Sequence, residues 1–136
     1  KGSAMTHSET QDEKYLRMAF AVAAAARAMG QHPFGCIMVG PDGEILLEQG
    51  NAYETEGHDM TAHAERILAS RAGIGRVVFG QSEHDLKIQT GNHDENPTLD
   101  LPCRTVFAAG QRDIEVVGPL LSEEAAALQE GFWAEK

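Results

Sequence analysis

The sequence predicts a single α/β domain in which helices pack against a mixed sheet. Its 136 residues are enough for one hydrophobic core and too few for two. Apolar residues alternate between helical and strand spacing, in the order α-β-β-α-β-β-β-α, which is typical of a layered α/β domain. We expect this domain to cover residues 5–136, and we interpret residues 1–4 as a remnant of cloning before a native start at Met5.

A helix and a hairpin are predicted at the beginning of the domain. Ser8 and Gln11 form a candidate capping box for a helix whose apolar residues continue on helical spacing to Gly30. Residues 34–39 and 44–48 predict two short strands, and the sequence Pro-Asp-Gly between them predicts a turn. The two strands therefore form a hairpin.

The rest of the chain predicts two more helices and three more strands. Residues 50–60 are polar and predict a loop, after which Thr61 can cap a helix over residues 62–71. Ser122 can cap a closing helix over residues 123–132. Short apolar runs predict strands at residues 76–79, 105–108 and 114–117. The segment 81–102 is long, polar and rich in Asn, Asp, Gly and Pro, and we interpret it as a loop.

Composition narrows the possible compartments and partners. Eleven Lys and Arg against 21 Asp and Glu give a net charge of −10, which repels phosphate backbones and disfavours a nucleic-acid partner. Two cysteines, Cys36 and Cys103, and no secretory leader indicate a reducing compartment. The longest apolar run is too short to cross a bilayer, so we expect no membrane partner and a cytoplasmic location.

Two sequence strings carry a resemblance to a known family. The first is His32-Pro33-Phe34-Gly35 at the start of the predicted hairpin, and the second is Asp59-x-Thr61-Ala62-His63-Ala64-Glu65 at the start of the second helix. With them the chain resembles the cytidine deaminase-like superfamily, and within it the bacterial guanine deaminases and nucleoside deaminases. The resemblance implies a three-layer α/β/α sandwich with a central mixed sheet, and it implies hydrolytic deamination.

The resemblance also implies roles for individual residues. His63 would bind zinc, which lowers the pKa of a bound water towards 7, and Glu65 would carry protons without binding the metal. Asn51 would hydrogen-bond the base or its sugar. His84 and Asp85 lie in a segment that helps to recognise the purine in guanine deaminases; a solvated loop is the alternative. We interpret Trp133, near the C-terminus, as a packing residue.

One part of the family pattern is missing. The family carries Pro-Cys-x-x-Cys after a central strand, but here Ala72 runs directly into Gly73, so roughly 20 to 30 residues are absent by typical element lengths. Cys103 does not replace the motif, because Val106 occupies the place of the second cysteine and the residues that follow predict a strand. The segment was left out of this sequence, deleted by engineering or lost naturally. We favour the first, since excision of a central strand would remove the middle of the sheet.

These observations predict a zinc-dependent enzyme that deaminates a purine-type nucleobase or nucleoside such as guanine and releases ammonia. The resemblance implies one zinc per chain, if the cysteine segment exists, and a homodimer that could exchange C-terminal segments. The alternative is a catalytically inactive binding or scaffold protein that retains the fold without the zinc cysteines.

Overall fold

The structure is a computed structural model, which describes residues 8–52, 74–91, 93–96, 102–110 and 113–134. Within these ranges the chain forms four helices and four strands. The helices are α1 (Gln11–Ala28), α2 (Glu83–Thr90), α3 (Cys103–Ala108) and α4 (Ser122–Gln129). The strands are β1 (Gly35–Val39), β2 (Ile45–Gly50), β3 (Arg76–Val78) and β4 (Glu115–Val117). This mixture of helices and small sheets agrees with the predicted α/β class. The helix predicted over residues 62–71 lies outside the described residues.

Helix α1 begins at a capping box two residues later than predicted. The Thr10 hydroxyl accepts from the Glu13 N–H at 3.1 Å, and the Glu13 carboxylate accepts from the Thr10 N–H at 2.8 Å. The predicted pair of Ser8 and Gln11 is therefore wrong. A carboxylate makes a stronger acceptor than an amide and also suits the positive end of the helix dipole, which favours the pair that contains Glu13. The predicted end at Gly30 is confirmed by its positive φ of 81°.

The predicted hairpin is confirmed. Strands β1 and β2 pair antiparallel from Gly35 opposite Gly50 to Val39 opposite Ile45. Gly43 in the connecting turn has a φ of 82°, a conformation that glycine adopts without strain. Helix α1 packs on this hairpin, and Ala23 and Ala26 on its buried face are almost fully covered.

Gly35 lets α1 approach the hairpin closely. A Cβ atom at this position would lie 2.5 Å from the backbone nitrogen of Ala23 and 2.9 Å from the carbonyl oxygen of Ala19. Both atoms belong to the helix backbone, which cannot rotate away as a side chain could. We therefore expect Gly35→Ala to push α1 off the sheet.

The expected loss for Gly35→Ala is about 3 kcal/mol in the free energy of unfolding, the upper end of usual overpacking costs. Chemical denaturation followed by circular dichroism measures it. Gly75→Ala is the matched control, because nothing lies within 4 Å of a Cβ built there. An equal loss in both variants would contradict the close packing of α1 on β1.

The second sheet consists of β3 and β4, which pair in parallel from Arg76 opposite Glu115 to Val78 opposite Val117. The two sheets together contain both kinds of pairing found in a mixed sheet. In the described part of the chain, however, they are separate two-stranded sheets, and the single central sheet predicted from the sequence is divided. Residues 53–73, between β2 and β3, lie outside the described residues.

The strand predicted over residues 105–108 is wrong, because these residues form helix α3. Pro102 precedes the helix, where its missing N–H costs no hydrogen bond. The Arg104 guanidinium donates to the carbonyls of Val116 at 2.8 Å and Gly118 at 3.0 Å. The Val117 carbonyl between them accepts from Phe79 on the β3 side, so Arg104 binds the opposite edge of β4. This tertiary contact outweighs the strand preference of Val and Phe.

Part of the predicted loop 81–102 is also wrong, since it contains α2. Ser82 caps this helix by accepting from the Asp85 N–H at 3.1 Å, and Gln89 donates to the Ala126 carbonyl of α4 at 2.8 Å. Helix α4 ends at Gln129, three residues earlier than predicted. The Ser122 cap is wrong as well, because Ser122 is already helical and Leu121 is the capping residue without a side-chain bond.

Two arginines join α1 to the elements packed around it. Arg76 forms a bidentate pair with Asp12 at 2.7 and 2.8 Å and a further bond to Glu115 at 2.8 Å. Arg17 pairs with Glu124 of α4 at 2.9 Å. The hydrogen bond from Arg76 lowers the pKa of Asp12 below its ordinary value of 3.8.

Among the described residues, no helix is both long and apolar enough to cross a bilayer.

Candidate functional site

Asn51 is the predicted site residue that the structure places in a buried position. It directly follows β2 and is 6% exposed. Its backbone N–H donates to the Phe34 carbonyl at 3.0 Å, which continues the hairpin ladder by one bond. Asn51 therefore lies beside the segment that leads into β1. Its role in binding a base stays a prediction.

Two residues of this segment, His32 and Phe34, belong to an aromatic cluster. Its rings surround Trp133, with centroid distances of 5.0 Å to Phe132, 5.1 Å to His32, 5.2 Å to His93 and 6.1 Å to Phe34. These five residues, which we call the aromatic cluster, come from three distant parts of the chain. Trp133 is 7% exposed, which confirms its predicted packing role.

Gln129 fixes the C-terminal part of the aromatic cluster. Its side-chain amide donates to the Pro33 carbonyl at 2.8 Å, and its oxygen accepts from the Trp133 indole N–H at 2.8 Å. Arg27 of α1 donates to the carbonyls of Leu128 at 2.7 Å and Glu130 at 2.8 Å. These bonds satisfy carbonyls near the end of α4 and hold the turn that follows against the body of the domain.

His32 connects the aromatic cluster to a carboxylate. Its Nε2–H donates to Glu95 Oε2 at 3.1 Å. The His32 side chain is 4% exposed, whereas that of Glu95 is 31% exposed. Glu95 belongs to a short loop, residues 93–96, in which its own N–H donates to His93 Nδ1 at 3.2 Å. Asn96 donates its N–H to the His93 carbonyl at 2.9 Å, so this loop is closed by local bonds.

His84 and Asp85 occupy a different place from Asn51. Both lie in the first turn of α2, and both are exposed. The Asp85 side chain lines a shallow depression between α2 and α4, together with Ile88 and Ala126. Neither residue is brought into contact with Asn51 or with the aromatic cluster in the described residues. Purine recognition by His84 and Asp85 stays a prediction.

The predicted metal ligand and proton carrier, His63 and Glu65, lie outside the described residues, as does the junction between Ala72 and Gly73. Within the part of the chain that is described, no three His, Cys, Asp or Glu side chains form a group that could hold a metal ion. Cys36 lies in β1 and Cys103 begins α3. The described residues do not fit a zinc site, because the chain supplies only one ligand of the predicted set.

Sequence reasoning missed the contact between His32 and Glu95. His32 was noted as part of the string His-Pro-Phe-Gly, and Glu95 lay within a segment interpreted as a polar loop. The two residues are 63 positions apart, and no spacing rule relates them. The density of His, Asp, Glu and Asn at residues 93–96 is the one sequence signal that could have indicated a polar contact there.

Comparisons with known proteins give two findings. A family model, described as the cytidine and deoxycytidylate deaminase zinc-binding region, matches residues 9–82, more than half of the 136 residues. A probable cytosine deaminase of Schizosaccharomyces pombe is 32% identical over 157 residues, with 94% of this chain and 96% of the yeast protein covered. Because the alignment has 157 positions and this chain has 136 residues, at least 21 residues of the yeast protein, the difference, have no counterpart here.

Proposed function

Because this chain belongs to the family of cytidine and deoxycytidylate deaminases, we propose that it catalyses the hydrolytic deamination of a nucleobase or nucleoside. The reaction replaces an exocyclic amino group with oxygen from water and releases ammonia. The observation that carries the proposal is the family match over residues 9–82, since this range includes the string His63-Ala64-Glu65. The yeast relative, described as a deaminase, supports the same type of reaction.

Two residues of this chain have defined tasks in the proposed reaction. Glu65 takes one proton from the attacking water and delivers it to the ring nitrogen, and then takes the second proton from the added hydroxyl and delivers it to the amine, which leaves as ammonia. A carboxylate can do this because it accepts and returns protons without leaving its position. Asn51 donates and accepts hydrogen bonds at the edge of the base. The burial of Asn51, which is 6% exposed, supports this role, since a few buried polar groups orient a flat heterocycle in its pocket.

Zinc belongs to this proposal only in a chain that contains further ligands. His63 is a single imidazole, and a tetrahedral catalytic zinc needs three protein ligands with one position left open. Cys36 and Cys103 lie in different elements and do not complete the set. We therefore assign zinc to the form of the protein that includes a Pro-Cys-x-x-Cys segment, and we derive no step of the reaction from the metal in the present chain.

We propose cytosine as the first candidate substrate and guanine as the second. The yeast relative is described as a probable cytosine deaminase, which favours a pyrimidine. Guanine comes from the sequence resemblance to guanine deaminases, and the yeast relative lends no support to this preference for a purine. A net charge of −10 disfavours a polynucleotide. A small base can instead be selected by its edge, because an unsatisfied polar group in a buried pocket weakens binding of the wrong base.

Ammonia release from a panel of substrates tests the proposal. The panel contains cytosine, guanine, adenine, their nucleosides and a structured RNA, each at the same concentration. We expect turnover of one free base or its nucleoside and little turnover of the RNA. Preferential turnover of the RNA would contradict the charge argument, and turnover of guanine over cytosine would restore the purine preference.

The second candidate function is an inactive binding protein with the deaminase fold. The absence of Pro-Cys-x-x-Cys from the 136 residues favours it. A chain of this kind would bind a base without releasing ammonia, so calorimetric binding of cytosine or guanine together with no turnover would support it. The homodimer stays a prediction from the resemblance.

A further inference from the structure

A shallow depression lies between α2 and α4 on the surface of the domain. Its volume is about 310 Å³, at the lower end of the range of pockets that bind ligands. Side chains of both helices line it, among them Asp85, Ile88 and Gln89 of α2 and Glu123 and Ala126 of α4. Each of these residues lies in the described part of the chain.

Gln89 bridges the two helices at the depression. Its side-chain amide donates to the Ala126 carbonyl of α4 at 2.8 Å, and its side-chain oxygen accepts from the Gln81 amide at 2.8 Å. Both polar groups of the Gln89 side chain are therefore bonded within the protein. A surface held in this way is formed before a partner arrives, which lowers the entropy cost of binding.

Ile88 supplies an apolar surface in the depression. It is 70% exposed, although isoleucine is among the residues most often buried. A single exposed isoleucine is ordinary on a protein surface, so its exposure alone indicates no function. Its position in a depression that is also lined by carboxylates is what points to a binding surface.

Two carboxylates, Asp85 on α2 and Glu123 on α4, line the same depression. Both residues are exposed. In the part of the chain that the structure describes, neither side chain forms an ion pair or a hydrogen bond. No Lys or Arg is among the described residues that line the depression, so this lining carries two negative charges.

These charges restrict the kind of partner. A nucleic acid or an anionic membrane is repelled, both by the two carboxylates and by the net charge of −10. A second copy of the chain in a symmetric contact would bring the same carboxylates against each other, and juxtaposed like charges weaken binding. Lys or Arg side chains of another protein would instead pair with Asp85 and Glu123.

We propose that the depression between α2 and α4 is a docking site for a basic segment of a partner protein. One large apolar side chain of this segment covers Ile88, and its basic residues pair with Asp85 and Glu123. Apolar burial supplies affinity, and the charges on either side orient the segment. The proposal goes beyond the deamination reaction and does not depend on it.

A labelled synthetic peptide is the probe for this site. It contains one phenylalanine, with arginines one helical turn away on both sides and alanine elsewhere. Fluorescence anisotropy measures its binding to the full chain at low salt. Replacing the phenylalanine of the peptide with alanine should weaken binding about tenfold, because most of the buried apolar area is lost. A peptide with glutamate in place of arginine should not bind.

One pair of variants tests the apolar contact. Ile88→Ala shortens the side chain that the phenylalanine covers, and we expect the Kd of the peptide to rise about tenfold. Val106→Ala is the matched control, because Val106 is another exposed apolar residue, at 48%, and does not line the depression. Its Kd should equal that of the wild type. Both substitutions are at exposed positions, so the fold should be retained.

A second pair of variants tests the charges. Asp85→Asn combined with Glu123→Gln should raise the Kd about tenfold at low salt, the scale of two exposed ion pairs. Asp42→Asn combined with Glu48→Gln removes the same charge from exposed positions of the hairpin and should leave the Kd nearly unchanged. The difference between the two double variants should disappear at high salt, because exposed charges are screened.

Three results would overturn the proposal. The first is no binding of the arginine peptide, and the second is an unchanged Kd in Ile88→Ala. The third is an equal rise of the Kd in the two charge variants, because the peptide would then respond only to the overall charge. Analytical ultracentrifugation covers the remaining occupant: self-association of the wild type that Ile88→Ala abolishes would assign this surface to a second copy and contradict a basic partner.

Discussion

Glutamine in place of Glu65 is expected to reduce deamination by about 10² to 10⁴-fold, the usual contribution of a general acid-base group. Glutamine has nearly the same shape as glutamate but cannot take up the proton that the attacking water must lose. The base should still bind, because the proposed base-binding residue Asn51 is unchanged. Steady-state ammonia release gives kcat, and equilibrium binding of the preferred base shows that the pocket is intact.

A matched control separates proton transfer from a purely structural role. Sequence alone also allows Glu65 to be a glutamate that stabilises the start of a helix through the helix dipole. Glu123 is exposed in the first turn of α4, so Glu123→Gln removes a charge of this structural kind. We expect Glu123→Gln to keep full activity. Glu65→Gln that keeps most of its activity, as Glu123→Gln should, would exclude the proton-carrier role.

Family membership confirms the cytidine deaminase-like α/β fold that the sequence predicted. The elements predicted best are those whose signals are local. Gly30 and Gly43 end a helix and form a turn through their own backbone conformations, and both were predicted. The hairpin depends on neighbouring residues and was also predicted. In these cases the residue itself, or one a few positions away, determines the structure.

The elements predicted worst depend on contacts with distant residues. Val106 and Phe107 favour a strand by their side chains, but they form helix α3, whose Arg104 binds the edge of β4. The short helix α2 has a polar sequence that resembles a loop, and it packs on α4 through Gln89. Neither contact can be read from a window of neighbouring residues, because tertiary contacts override weak local preferences.

In the candidate site, too, residues with a local signal were predicted and a contact between distant residues was not. Asn51 was predicted from the family resemblance and lies buried directly after β2. The contact between His32 and Glu95 was not predicted, since it joins residues that only the folded chain brings together. His84 and Asp85 were placed near the base by resemblance to a segment and not to individual residues. Both residues are exposed on α2, and their role in recognising the purine stays a prediction.

The division of the sheet is the first reason to expect that the active protein contains a further segment. β1 pairs with β2, and β3 pairs with β4, but no described strand joins the two pairs. An edge without a partner leaves backbone donors and acceptors to water or to another chain. One additional strand between the pairs would join them into one sheet. The family pattern has a central strand, followed by Pro-Cys-x-x-Cys at the start of a helix, between the second predicted helix and β3.

The length of the alignment with the yeast relative also indicates that a segment is missing from this chain. At least 21 residues of the yeast relative have no counterpart in this chain, the difference between 157 aligned positions and 136 residues. Typical element lengths predict that roughly 20 to 30 residues are missing. We therefore propose that the active protein contains a segment between Ala72 and Gly73 that includes the two cysteines.

Peptide mapping of the purified protein tests this directly. Trypsin cleaves after Arg71 and Arg76, so a continuous 136-residue chain yields the peptide Ala72-Gly73-Ile74-Gly75-Arg76. We expect this peptide to be absent, a cysteine-containing peptide to take its place, and zinc to be present at one atom per chain. Detection of the short peptide in stoichiometric amount would contradict the segment, whatever the activity of the sample.

A chain verified to have only 136 residues is expected to lose activity on every base in the panel. His63 alone cannot enclose a tetrahedral zinc, and without the predicted additional strand the backbone hydrogen bonds of β1 and β3 would be less protected from exchange with solvent. Amide hydrogen exchange should then be fast in both strands, and the thermal unfolding temperature should be low.

Restoring a segment with Pro-Cys-x-x-Cys should recover zinc binding, protection of the sheet from exchange, and turnover together. Replacing both cysteines of that segment with serine should recover protection of the sheet without zinc binding. Zinc-dependent deamination by the verified 136-residue chain would refute the assignment of the metal to the absent segment.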